Sequence, residues 1–159
     1  MLWDQRGYSA QRVSPSISDP MGSSVREDLT DEWRVRYDSR GELEELQKFR
    51  LGVALFNSNA VWHAHEVWEE LWKEGLHKGS PPLQALIQLA ACMVHWRNKN
   101  AHGAYTLLHR CRANLAKGEG ALYGWELSEI KEKAGEVLNL MDAGVRYKDG
   151  PPIQLVVDG

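Results

Sequence analysis

His65, Glu66 and Glu69 sit within little more than one helical turn of each other, in the segment Val61-Trp62-His63-Ala64-His65-Glu66-Val67-Trp68-Glu69-Glu70-Leu71-Trp72. An imidazole and two carboxylates at i, i+1 and i+4 are neighbours on a helix surface. Three chemistries suit such a set. The first is a structural polar network, in which Glu69 accepts from His65 and the cluster fixes helix register. The second is a divalent metal site, with His65 and Glu69 as ligands from one helix and His95 as a third. Donor sets of this kind suit manganese, iron or magnesium better than structural zinc. The zincin motif needs a second histidine where this chain has Glu69. Helical di-metal sites repeat Glu-x-x-His on two helices, and the repeat-related positions here are Tyr105, Thr106 and His109. The third is acid–base chemistry or small-ligand binding without metal, in a site lined by Trp62 and Trp68, beside which a carboxyl pKa would rise. The sequence shows neither a Ser-His-Asp or Cys-His constellation nor a Gly-rich phosphate loop.

The cluster needs a facing surface, and the next helical segment offers one. Leu83, Leu86, Ile87, Leu89, Ala90, Met93, Val94 and Trp96 cover most of its circumference, as expected of a central helix. Its polar stripe is Gln84, Gln88 and His95, at steps of four and seven. Unpaired buried polar groups cost about 1–3 kcal/mol, so His65, Glu66 and Glu69 are expected to face Gln88, with Gln84 and His95, across a shared groove. His63, Glu70 and Glu74 project the other way and are expected in solvent.

The positioning elements follow from apolar spacing and breakers. A short element over 29–37 packs Trp33 on the body. A helix begins near Gly41 and buries Leu43, Leu46, Phe49, Val53 and Phe56. Asn57-Ser58-Asn59 breaks it and caps the next helix, over 60–74. Ser80 caps the third, with Pro81 and Pro82 in its first turn. After Asn98-Lys99-Asn100 a fourth buries Ala101, Ala104, Leu108, Cys111 and Leu115. A fifth runs over 125–143, and a tail beyond Pro151-Pro152 lays Ile153, Leu155 and Val156 along the body. Leu43, Leu46 and Phe56 match Leu83, Leu86 and Trp96 at an offset of about 40 residues, a spacing seen in helical-hairpin arrays. The expected fold is all-α: about five helices, as two antiparallel pairs resembling a tetratricopeptide unit plus a closing helix. Residues 1–28, rich in Ser, Gly and Pro, are expected to form a flexible arm, and 29–159 a single helical domain.

Composition bounds the partners. The 159 residues, net charge of −3 and pI near 6.1 give no nucleic-acid footprint. No apolar run reaches transmembrane length, and the N-terminus has no secretory h-region. Cys92 and Cys111 sit among apolar residues and read as buried thiols. The expectation is a soluble, cytoplasmic protein whose partner is a small molecule or another protein, with no required cofactor beyond the divalent metal alternative.

Phe56-Asn57, Trp62, Ala64-His65-Glu66-Val67-Trp68-Glu69-Glu70-Leu71-Trp72 and Leu86-Ile87-Gln88-Leu89-Ala90 together resemble the family called domain of unknown function 309. Tyr123-Gly124-Trp125-Glu126-Leu127 and the Pro-Pro-Ile-x-Leu tail resemble its later segments, so the likeness spans about residues 46–156. It implies a small helical intracellular protein without an established activity, with His65, Glu66, Glu69 and Gln88 as its hallmark positions. His63 departs from the pattern. The function expected is a helical binding or interaction domain with a polar groove at these residues, and the alternative is an uncharacterised enzyme, metal-dependent or not, using the same cluster.

Overall fold

The computed structural model describes residues 26–157. Among them are six α-helices: α1 (Asp31–Asp38), α2 (Glu45–Asn57), α3 (Val61–Glu74), α4 (Pro81–Arg97), α5 (Ala101–Leu115) and α6 (Leu127–Asp142). A hairpin of two-residue strands, β1 (Ala121–Leu122) and β2 (Trp125–Glu126), joins α5 to α6. None of the helices is long and apolar enough to cross a membrane. The all-α reading holds, with each long helix packed on its sequence neighbours and α6 closing against α5.

Local sequence explains most helix ends. Ser80 accepts from the Leu83 amide, with Pro81 following at the first helical position. Asn100 accepts from the Gly103 amide. The turn between α2 and α3 puts Asn59 in the left-handed region (φ +74°), and the turn between α4 and α5 does the same with Lys99 (φ +64°). In both, two amides return to the preceding helix: Asn59 to Phe56 and Ala60 to Leu55, then Lys99 to Trp96 and Asn100 to His95. The two hairpins therefore share their turn as well as their apolar spacing.

α4 is the central helix. Ten of its residues, from Leu83 to Val94, are buried. Trp68 of α3 is fully buried against Phe49 and Phe56 of α2 and donates its indole N–H to the Phe49 carbonyl at 3.2 Å. Gly52 makes room for that ring, since a Cβ there would stand 2.1 Å from Trp68 Nε1. Cys92 and Cys111 are free and buried. Burial pushes both thiols up, Cys111 to about 12.

Several expectations are corrected. The helix expected from Gly41 starts at Glu45, because Arg40–Glu42 form a 3-10 turn and Glu44 begins a capping box with Gln47. Leu46, in that first exposed turn, is 41% exposed. Ala101 is exposed at the first position of α5, before the helix reaches the core. Trp125 belongs to β2 and α6 starts at Leu127, because Tyr123 and Gly124 both take positive φ and turn the chain back on itself. In the tail, Ile153 and Leu155 are buried, but Val156 faces out. Of the N-terminal arm, residues 1–25 lie outside the described residues, whereas Glu27 is docked on the body.

Candidate functional site

α3 carries the cluster because its face toward α2 and α4 is apolar and its His65 edge adjoins that face. His65 is 2% exposed. Its Nδ1 lies 3.2 Å from the Trp62 carbonyl, an arrangement that orients the ring when Nδ1 carries the proton. The same nitrogen is 3.7 Å from Glu66 Oε1, and Nε2 is 4.0 Å from Glu69 Oε2. Those spacings are ion-pair contacts beyond hydrogen-bond reach, so the expected acceptance by Glu69 from His65 is not a direct bond. The other Glu69 oxygen, Oε1, is 3.6 Å from the exposed Lys73 ammonium. One ligand atom from each of His65, Glu66 and Glu69 falls within 4.8 Å of the others.

The facing helix contributes less than expected. His95 is largely buried and close enough to His65 for their charges to interact. Burial, helped by that neighbour, pushes its imidazole down to about 4. Its Nδ1 lies 3.1 Å from Asn100 Nδ2. Because Asn100 Oδ1 accepts from Gly103, the amide nitrogen faces His95 and donates to it. Gln88 accepts from Asn114 Nδ2 of α5 at 2.8 Å, so its amide oxygen serves the opposite neighbour. Gln84 is half-buried near the start of α4. Of the expected aromatic lining, Trp62 stands edge-on to His65 with ring centres 6.0 Å apart. Trp68 turns to α2 instead. Trp62 Nε1 is the one buried side-chain polar atom without an acceptor among the described residues.

His63 is corrected outright. It is 6% exposed and bonded through Nδ1 to Glu27 at 2.6 Å. Glu27 also accepts from the backbone amides of Trp62 (3.2 Å) and His63 (2.8 Å) and pairs with Arg97 at 2.8 Å. Ala60, at the N-cap of α3, has no side chain able to cap, so Glu27 supplies the cap from a distant segment. Burial alone would raise the Glu27 carboxyl. The bonds from His63 and the charge of Arg97 outweigh it and hold the carboxyl below its usual range. Tyr37 of α1 packs edge-on to the His63 ring at 4.7 Å. Glu70 is likewise no solvated residue: it is half-buried, with Arg40 at 2.9 Å and Lys48 at 2.8 Å. Glu74 is exposed as expected. Sequence reasoning missed Glu27, Arg97, Arg40 and Lys48 because helical spacing reveals neighbours within a helix and not partners from another segment.

Residues 49–107 match the family model described as Domain of unknown function (DUF309). Over that segment the chain is similar to the DUF309 family. The matched segment holds α3 and α4 entire, and with them His65, Glu66, Glu69, Gln88 and His95. It is shorter than the span the motifs suggested, leaving the Tyr123–Leu127 hairpin and the tail outside. No curated protein and no solved structure matches the chain, and the family description assigns no activity.

Proposed function

We propose that this chain is a small helical binding domain whose ligand site is the His65–Glu66–Glu69 cluster, and that the ligand is a divalent cation. The observation that carries this reading is the convergence of an imidazole nitrogen and two carboxylate oxygens within 4.8 Å. Ligand atoms about 2.1 Å from a shared metal stand at most about 4.2 Å apart, so small side-chain rotations complete the set. Two features support it. The Trp62 carbonyl orients the His65 ring, as outer partners do for metal-ligating histidines. Glu69 has its two oxygens toward different neighbours, so Oε2 faces His65 while Oε1 faces Lys73. One nitrogen and two carboxylate donors suit manganese, iron or zinc better than calcium. Three protein ligands also leave positions for water or a substrate, which is how the enzyme alternative would use the same site. The cytoplasm is the proposed location, supported by the free, buried thiols of Cys92 and Cys111.

The test is calorimetric titration of the metal-stripped full chain with Mn²⁺, Zn²⁺ and Mg²⁺, alongside His65→Ala and Glu69→Gln. One ion per chain is expected, with affinity falling at least about 10-fold in each variant. If none of the three ions binds stoichiometrically, or if both variants bind as the parent does, the reading fails.

A further inference from the structure

The start of α3 is held by a segment that its own hairpin does not contain. Glu27 fills the role that Ala60 cannot, accepting from the Trp62 and His63 amides, from His63 Nδ1 and from Arg97. The preceding residue, Arg26, places its guanidinium 5.1 Å over the Trp62 ring. In the same ring Trp62 Nε1 is enclosed and has no acceptor among the described residues. We propose that Arg26 and Glu27 form a strap latched across the first turn of α3, and that releasing it opens the Trp62 flank of the His65 cluster.

Two opposing terms make this element balanced. The closed strap gains the charge-assisted bonds of Glu27, but it keeps an indole N–H from water and from any acceptor among the described residues, which is unfavourable. Opening forfeits the first and relieves the second. Burial of such an orphan donor is rare in native proteins and calls for an explanation, and a segment that leaves periodically supplies one. The strap bears on the cluster through a single residue. Glu27 holds the Trp62 amide N–H, while the His65 ring rests 3.2 Å from the Trp62 carbonyl and edge-on to its indole. A first turn that loosens at Trp62 therefore loosens the support of His65. Local openings of this kind involve contiguous units less stable than the whole fold. The strap is read from these contacts alone, and only its effect on cation binding rests on the function proposed above.

The test is hydrogen exchange of the indole N–H groups in the full chain, followed by two-dimensional NMR. Trp68 is an internal control, since it is fully buried and bonded to the Phe49 carbonyl deep between α2 and α3. Trp62 is expected to exchange faster than Trp68, through the same opening that exposes the Trp62 and His63 backbone amides. Glu27→Ala should raise the Trp62-to-Trp68 rate ratio about ten-fold, with Glu27→Gln, which keeps an acceptor oxygen, in between. Equal rates for Trp62 and Trp68 in the parent chain would overturn the strap, and that comparison stands even if Glu27→Ala does not fold. Saturating Zn²⁺ should slow Trp62 exchange, because coupling between two sites is reciprocal. An ion that binds without changing that rate overturns the coupling. Failure of any ion to bind overturns the cation reading and leaves the indole comparison to decide the strap.

Discussion

The Glu27 carboxylate lies 2.6 Å from His63 Nδ1, although 36 residues separate the two in the chain. The same carboxylate accepts from the Trp62 and His63 amides and so caps a helix that has no cap of its own, and it gives stability a definite pH dependence. The Glu27 carboxyl is held below its usual range in the fold. A depressed carboxyl contributes stability that is present above its unfolded pKa and is lost as pH falls through the folded value. Glu27→Ala should cost about 2–3 kcal/mol at neutral pH, the sum expected of a lost cap and lost bonds to charged groups. Urea unfolding of parent and variant between pH 7 and the acid limit checks this, and the gap between them should close as the pH drops. A gap that stays constant with pH would contradict it.

Glu70 receives Arg40 and Lys48 together, at 2.9 and 2.8 Å. Burial raises its carboxyl, but the bonds from Arg40 and Lys48 outweigh that and leave it lowered. The group is about a third exposed, so solvent screens much of this effect. Glu70→Gln is therefore expected to cost no more than about 1 kcal/mol, and to cost less in high salt. Thermal denaturation at low and high ionic strength measures both.

Gly52→Ala is a sharper test of the α2–α3 seam. The new methyl would meet Trp68 Nε1 at 2.1 Å, inside contact distance. Overpacking of this kind costs about 1–3 kcal/mol, and displacing the ring also threatens its bond to the Phe49 carbonyl. A large fall in denaturation midpoint with a changed near-ultraviolet tryptophan signal is expected. Unchanged stability would mean that the ring and Gly52 do not meet as described.

Asn57 holds the tail as one strand holds another. Its amide nitrogen donates to the Leu155 carbonyl at 2.8 Å, and its oxygen accepts from the Leu155 amide at 2.7 Å. Asn57→Ala should release residues after Pro152 and expose Ile153 and Leu155. Limited proteolysis followed by mass spectrometry should then find cleavage in the tail while α2 to α6 persist. A tail equally protected in both proteins would show that its apolar contacts suffice.

Helix positions were legible because their signals are local. Ser80, Asn100 and the proline pair lie next to the helices they start, and the apolar spacing of α3 and α4 marks their inner faces. The turn at Tyr123-Gly124 carried a signal too, since a glycine between two short apolar stretches favours positive φ. That glycine makes Trp125 the first residue after a turn and not the start of a helix. The cluster of His65, Glu66 and Glu69 was legible for the same reason as the helices: its spacing lies within one helix. What spacing could not say is which neighbour a polar residue serves. Gln88 lies on a central helix flanked by both α3 and α5, and it bonds to the α5 side. His63 and Glu70 point away from the cluster as expected, but chain from residues 27, 40 and 48 covers that side.

The two hairpins differ in where their second helices obtain a cap, and that difference sets how local each one is. α5 begins on Asn100, which reaches Gly103 three residues on. α3 begins on Ala60 and depends on Glu27, across 36 residues to His63. Pairings between distant residues must wait for loop closure, whereas local ones do not. The α4–α5 hairpin thus caps both of its helices from its own residues, whereas the first turn of α3 is complete only with the N-terminal segment in place. In this molecule the residues nearest the start of the described chain complete the helix that holds the His65 cluster.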